Sequence, residues 1–102
     1  MKIQELVQEF CDKYYVDCKI ENRILDVISE IGELSKEVLK STDYGAIELN
    51  SCSEELTLEF GDVLFSLIAL ANKLDINMET ALNLAMHKYE KRFQLRNSIG
   101  SL

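Results

Sequence analysis

The chain has 102 residues with a formal net charge of −7, 47% apolar side chains, no proline and only four glycines. That length fits one domain, residues 1–102, with a core too small to bury much surface alone, and the composition excludes a disordered or loop-dominated chain. The acidic balance argues against nonspecific nucleic-acid binding. The charge is uneven, since residues 1–62 carry 15 of the 18 acidic side chains, whereas residues 86–102 hold Lys88, Lys91, Arg92 and Arg96 against Glu90 alone.

The first helical pattern runs from about Ile3 to Tyr15, where Ile3, Leu6, Val7, Phe10, Cys11 and Tyr14 recur at the three-and-four spacing of one buried stripe. Lys2, Gln4 and Glu5 interrupt any apolar run at the N-terminus, so no secretory signal is read there. Cys11, Cys18 and Cys52 are odd in number and lack metal-site spacing, which predicts buried free thiols in a reducing compartment. The polar stretch from Val16 to Lys19 breaks the pattern.

A second helix is predicted from about Glu21 to Lys40, with Ile24, Val27, Ile28, Ile31, Leu34 and Val38 on an apolar face. Beside that face Asp26, Glu30, Glu33 and Glu37 form an acidic line. Like charges at these spacings each destabilise an isolated helix by roughly 0.2–0.5 kcal/mol. Lys36 projects about 80° from the centre of the line at 3.6 residues per turn, and Lys40 stands at its far end, so the middle lacks a cation.

Residues 41–53 read as a loop rich in Ser, Thr, Asp, Gly and Asn, with Ser51 and Glu54 as a capping box for a third helix ending near Leu74. From Val63 to Ala71 this helix is apolar nearly all round, which predicts the most buried element. The run is about half the ~20 residues a membrane span needs, so a soluble cytoplasmic protein is expected. Asn77 reads as the N-cap of a fourth helix, with Met78, Ala81, Leu82, Ala85, Met86, Tyr89 and Phe93 on one stripe. Lys88, Lys91, Arg92 and Arg96 suit its C-terminal end, and 97–102 reads as a fraying tail.

Two phrases carry the chemistry, Glu30-Ile31-Gly32-Glu33 and Glu59-Phe60-Gly61-Asp62, offset by 29 residues at each acid and at the glycine. On packed helices they bring four carboxylates together, which is unfavourable without a counter-cation. An all-oxygen set suits Mg²⁺, with Mn²⁺ able to substitute. Zinc lacks its His and Cys ligands, and a di-iron site lacks the Glu-x-x-His pairs, His87 lying outside both phrases. Each internal glycine costs its helix roughly 1 kcal/mol relative to alanine, which points to close packing or to close approach of a ligand. Lys88, Lys91 and Arg92 read either as a solvated helix end or as phosphate ligands beside the metal.

Glu30-x-x-Glu33, 25 residues, then Glu59-x-x-Asp62 resembles the paired acidic pattern of MazG-type all-α nucleoside triphosphate pyrophosphohydrolases, and Glu59 to Phe65 through Lys88 to Phe93 is similar to that family in register and length. The resemblance covers about residues 20–95. It implies an all-α fold, a helical bundle of four main helices completed by homo-oligomerisation as a dimer or tetramer. It also implies Mg²⁺-dependent hydrolysis of a nucleoside triphosphate to the monophosphate and pyrophosphate, with Glu30, Glu33, Glu59 and Asp62 as metal ligands. Lys88 and Arg92 match basic family positions. Glu33 is the candidate acceptor of the attacking water's proton. Many relatives carry an asparagine where this chain has Met86 and His87, a departure that bears on base selection. Narrower related activities on dCTP, dUTP or phosphoribosyl-ATP, and a non-catalytic helical oligomerisation module, are the competing readings.

Overall fold

The computed structural model describes residues 2–96, and the tail predicted at 97–102 lies outside them. Four helices follow one another: α1 (Lys2–Lys13), α2 (Ile20–Ser41), α3 (Glu54–Lys73) and α4 (Met78–Arg96), with no strand among the described residues. None of the helices is long and apolar enough to cross a membrane.

The helix ends follow local chemistry. At the end of α1, Tyr15 takes a left-handed backbone (φ 56°) and Val16 N–H closes onto Cys11 C=O at 2.8 Å. Asp75 does the same after α3 (φ 55°), with Ile76 N–H donating to Ala71 C=O at 2.9 Å. The cap of α3 is Ser53, whose Oγ accepts from Leu56 N–H at 3.0 Å, not the expected Ser51. Ser51 stands three residues before the first helical residue, too early to reach an N2 or N3 amide. Asn77 does cap α4, its Oδ1 accepting from Thr80 N–H at 2.9 Å.

Helix α3 is the centre. One stripe, Leu56, Glu59, Val63, Ser66 and Leu70, is buried or half-buried along α2, while Phe65 on another side meets Phe10 of α1 edge-on at 5.6 Å. As α2 advances, Arg23 lies near Ala69 and Asn72 whereas Glu30 lies near Glu59 and Asp62, so the two helices run antiparallel.

The in-chain core is thinner than the apolar stripes predict. Cys11, Val27, Leu56, Ile68, Ala69, Leu70 and Ala71 are its buried apolar members. Leu6 and Phe10 on α1 and Tyr14 just after it stay about half exposed, and no residue of α4 is buried. Cys18 is half-buried and Cys52 exposed, so of the three free thiols only Cys11 fits the expected burial. On α2 the residues turned inward are Arg23, Val27, Glu30, Leu34 and Glu37, and the aliphatic row Ile24, Ile28, Ile31 and Val38 faces outward. The helix is rotated so that the border between its apolar and acidic lines meets α3.

Dimensions agree. The radius of gyration is 16.6 Å, against about 13 Å for a compact domain of this length. The accessible surface of 7998 Å² exceeds by roughly 2,000 Å² that of a compact monomer of this mass.

Candidate metal centre

The rotation of α2 places Glu30 opposite the first half of α3, where Glu59 and Asp62 stand one turn apart. One carboxylate oxygen from each of Glu30, Glu59 and Asp62 can be chosen so that all lie within 4.8 Å of one another. Glu30 and Glu59 are half-buried and Asp62 is exposed, so the cluster has a protein floor and an open side.

The electrostatics are unbalanced. The Glu30 carboxyl is held above the ordinary glutamate value, first by burial and then by the charges of Asp62, Glu59, Glu33 and Asp26 in that order. The outer members of the acidic line have partners: Arg23 pairs with Asp26 and Lys40 with Glu37, each at 3.8 Å. Among the described residues the remaining ion pair, Lys73 with Asp17 at 2.8 Å, is elsewhere. Glu30 and Glu33, in the middle, have no cation among the described residues.

This donor set fits a hard divalent ion. The three oxygens already lie within 4.8 Å of one another, so side-chain movement alone would bring them onto one divalent ion. Glu33 is exposed and stands outside the converging trio, although its charge is felt at Glu30.

The cations predicted to accompany the acids are arranged differently. Lys88 Nζ and the Arg92 guanidinium flank the Tyr89 ring, 4.8 and 5.9 Å from its centroid, in cation–π contact. Neither these nor Lys91 forms an ion pair with the acidic cluster. His87 is exposed on α4 and lies outside the carboxylate group.

The glycines between the acids are not demanded by this chain. A Cβ built on Gly32 or Gly61 meets nothing within 4 Å, and neither residue has a positive φ. Close packing of α2 on α3 therefore does not account for them.

The pattern describing the MazG nucleotide pyrophosphohydrolase domain matches residues 18–96. The chain belongs to the MazG family. That span contains all three converging carboxylates, Glu33 and the α4 cations. A protein of Bacillus subtilis (strain 168), "Uncharacterized protein YpjD", is 32% identical over 93 residues, covering 89% of this chain and 79% of that protein. No solved structure matches the chain. MazG domains are generally metal-dependent, in agreement with the acidic cluster. The all-helical architecture is also that expected of the MazG fold.

What the sequence missed is the phase of α2. Arg23, Val27 and Glu30 lie within about 60° of one another on a helical wheel, but a polar residue at each end hid the inward stripe behind the longer aliphatic row.

Proposed function

We propose that the protein hydrolyses a nucleoside triphosphate to the monophosphate and pyrophosphate, and that it acts on the soluble nucleotide pool of the cytoplasm. The observation that carries this reading is the convergence of Glu30, Glu59 and Asp62 across α2 and α3 in a MazG domain. These three carboxylates would hold Mg²⁺, or Mn²⁺ in its place, with Glu33 at the edge of the set. Such an ion, when bound, supplies positive charge against the phosphate oxygens and makes the attacking water more acidic.

The residues of the chain divide the remaining work. Glu33 is exposed and stands outside the converging trio, so its oxygens are free to take the proton of a water attacking the α-phosphorus. The bond from that phosphorus to the bridging oxygen then breaks, releasing pyrophosphate. Lys88, Lys91 and Arg92 bind the phosphates and neutralise their charge throughout the reaction. They project from a helix that is little covered in the single chain, which fits a site completed when copies associate. The surplus surface of roughly 2,000 Å² is in the range that a stable interface buries, and it supports a homodimer or a dimer of dimers.

The test is incubation with standard and modified triphosphates and MgCl₂, detecting pyrophosphate and orthophosphate separately. Pyrophosphate and monophosphate are the expected products, in a Mg²⁺-dependent reaction. Orthophosphate as the first product would indicate a different bond cleavage. A protein whose melting temperature ignores both Mg²⁺ and nucleotides would instead be a helical association module.

A further inference from the structure

Helix α4 carries the cations yet buries none of its own residues, only Met78, Ala85, Tyr89 and Arg92 being half-buried, so contacts at its root weigh heavily in its direction. The root is held by one side chain from the other end of the chain. Gln4 of α1 is 8% exposed, and its Nε2 donates to Ile76 C=O at 2.7 Å and to Asn72 Oδ1 at 3.1 Å. Its Oε1 accepts from Met78 N–H at 2.9 Å. Asn72 Nδ2 returns a hydrogen bond to the Gln4 C=O at 2.9 Å. Ile76 C=O and Met78 N–H are backbone groups of opposite polarity on either side of the cap Asn77, so they fix which way the Gln4 amide points. Gln4 thereby grips the backbone on both sides of the α4 cap and satisfies one of the helix's orphan N-terminal donors.

We infer that Gln4 is a positioning residue, aiming α4 and through it Lys88, Lys91 and Arg92. This rests on the proposed reading of those cations as phosphate ligands. The lever is long. Lys88 to Arg92 lie 10–14 residues beyond Met78, about 15–21 Å along the axis at 1.5 Å per residue. A pivot of about 10° at the root displaces them by roughly 3 Å, several times the tolerance of a productive contact. Gln4 lies outside the span 18–96 matched by the family pattern, so that pattern does not include the clamp's α1 side.

The sequence contains the signal. Gln4 falls on the same helical phase as Val7 and Cys11, the least exposed apolar residues of α1. A polar side chain at that phase needs a buried partner.

The test compares Gln4→Met, which keeps the length but makes no hydrogen bonds, with Gln4→Glu, which keeps an acceptor for Met78 N–H. Ile68→Val is the control, loosening the α3 core without touching the clamp. Gln4→Met should raise KM for the triphosphate about tenfold with kcat changed less than twofold, because interactions made equally in ground and transition states appear in KM. Gln4→Glu should show at least as large a shift, because its second carboxylate oxygen would face Ile76 C=O and Asn72 Oδ1 where the amide donated. Amide exchange across residues 78–82 should accelerate at least tenfold in Gln4→Met, with residues 27–31 and 59–66 unchanged. Unchanged exchange at 78–82, or an even acceleration over α1, α3 and α4, would overturn the inference, as would kinetics that follow Ile68→Val. The exchange measurement needs no substrate. If the parent protein turned over no nucleotide, the reading of the site would fall, while acceleration confined to 78–82 would still support the clamp.

Discussion

Helices α2 and α4 are both marked in sequence by apolar residues at three-and-four spacing, yet they end in opposite situations. α2 finds a surface within the chain: Val27 is buried against α3, and Glu30 comes to rest beside Glu59 and Asp62. α4 buries none of its residues, and Leu82, Met86 and Phe93 are each about half exposed. The difference teaches that a periodic stripe states that a face requires cover without saying what supplies it. It also separates the candidate site into an acidic half assembled by packing within the chain and a cationic half that this packing does not bring to it.

The sharpest way to break that division is to substitute each half and compare kinetics. Glu59→Gln and Asp62→Asn keep the side-chain shape and remove a charge from a cluster that repels itself. Each should lower kcat/KM by roughly a thousandfold or more, a scale expected when electrostatic stabilisation of the reacting phosphate is lost. Neither should lower the metal-free melting temperature, since relief of like-charge repulsion favours the fold. Lys88→Ala and Arg92→Ala should act mainly on KM, by about tenfold each, as expected for groups that bind the phosphates throughout the reaction. If the α4 variants lost kcat as severely as the α3 variants, the two halves would not be distinct.

The parts of this arrangement visible in sequence were those set by local rules. Asn77 as a cap, the four helices and the unpaired centre of the acidic line follow from side-chain chemistry within one turn, and Arg23–Asp26 and Glu37–Lys40 show why only the centre is left uncompensated. The rotation of α2 was not visible, because Arg23 and Glu37 lie on its inward face and no propensity rule places them there. The exposure of Phe10, Ile28 and Met86 was equally hidden: their periodicity is that of buried residues, and a chain of this size has too few helices to cover them all.

A pH series sharpens the acidic half on its own. Because the folded-state pKa of Glu30 is raised above the ordinary 4.5, the metal-free folded state holds a proton that the unfolded chain has lost. Stability should therefore fall as pH rises through the interval between 4.5 and the raised value. Asp17 works in the opposite sense: its carboxyl is lowered by its hydrogen bond to Lys73 and by Cys18 N–H, and its contribution is lost as pH falls. Asp17 is exposed and its pair is screened, so its contribution should be small. Glu30→Gln should remove the falling limb and be more stable than the parent at pH 7 without metal. Mg²⁺ should raise the parent's melting temperature at pH 7, and less as pH falls and protons compete for the same oxygens. Glu30→Gln should lose most of that rise.

The smallest expected effect concerns the glycines, where stability and activity should part. Gly32→Ala and Gly61→Ala place a methyl group where nothing lies within 4 Å, on helices with no positive φ at those positions. Each should stabilise the protein by about 0.5–1 kcal/mol, the ordinary helical advantage of alanine, seen as a rise in melting temperature of several degrees. If the glycines keep space for a nucleotide or a second copy, the same variants should lose turnover or association although the helices are firmer. Both gains together, in stability and in full activity, would mean that these two positions merely tolerate glycine. A gain in stability with a loss of dimer by sedimentation would assign the space to the second copy. A loss of turnover with association intact would assign it to the ligand, and would extend the acidic half from three carboxylates to the backbone between them.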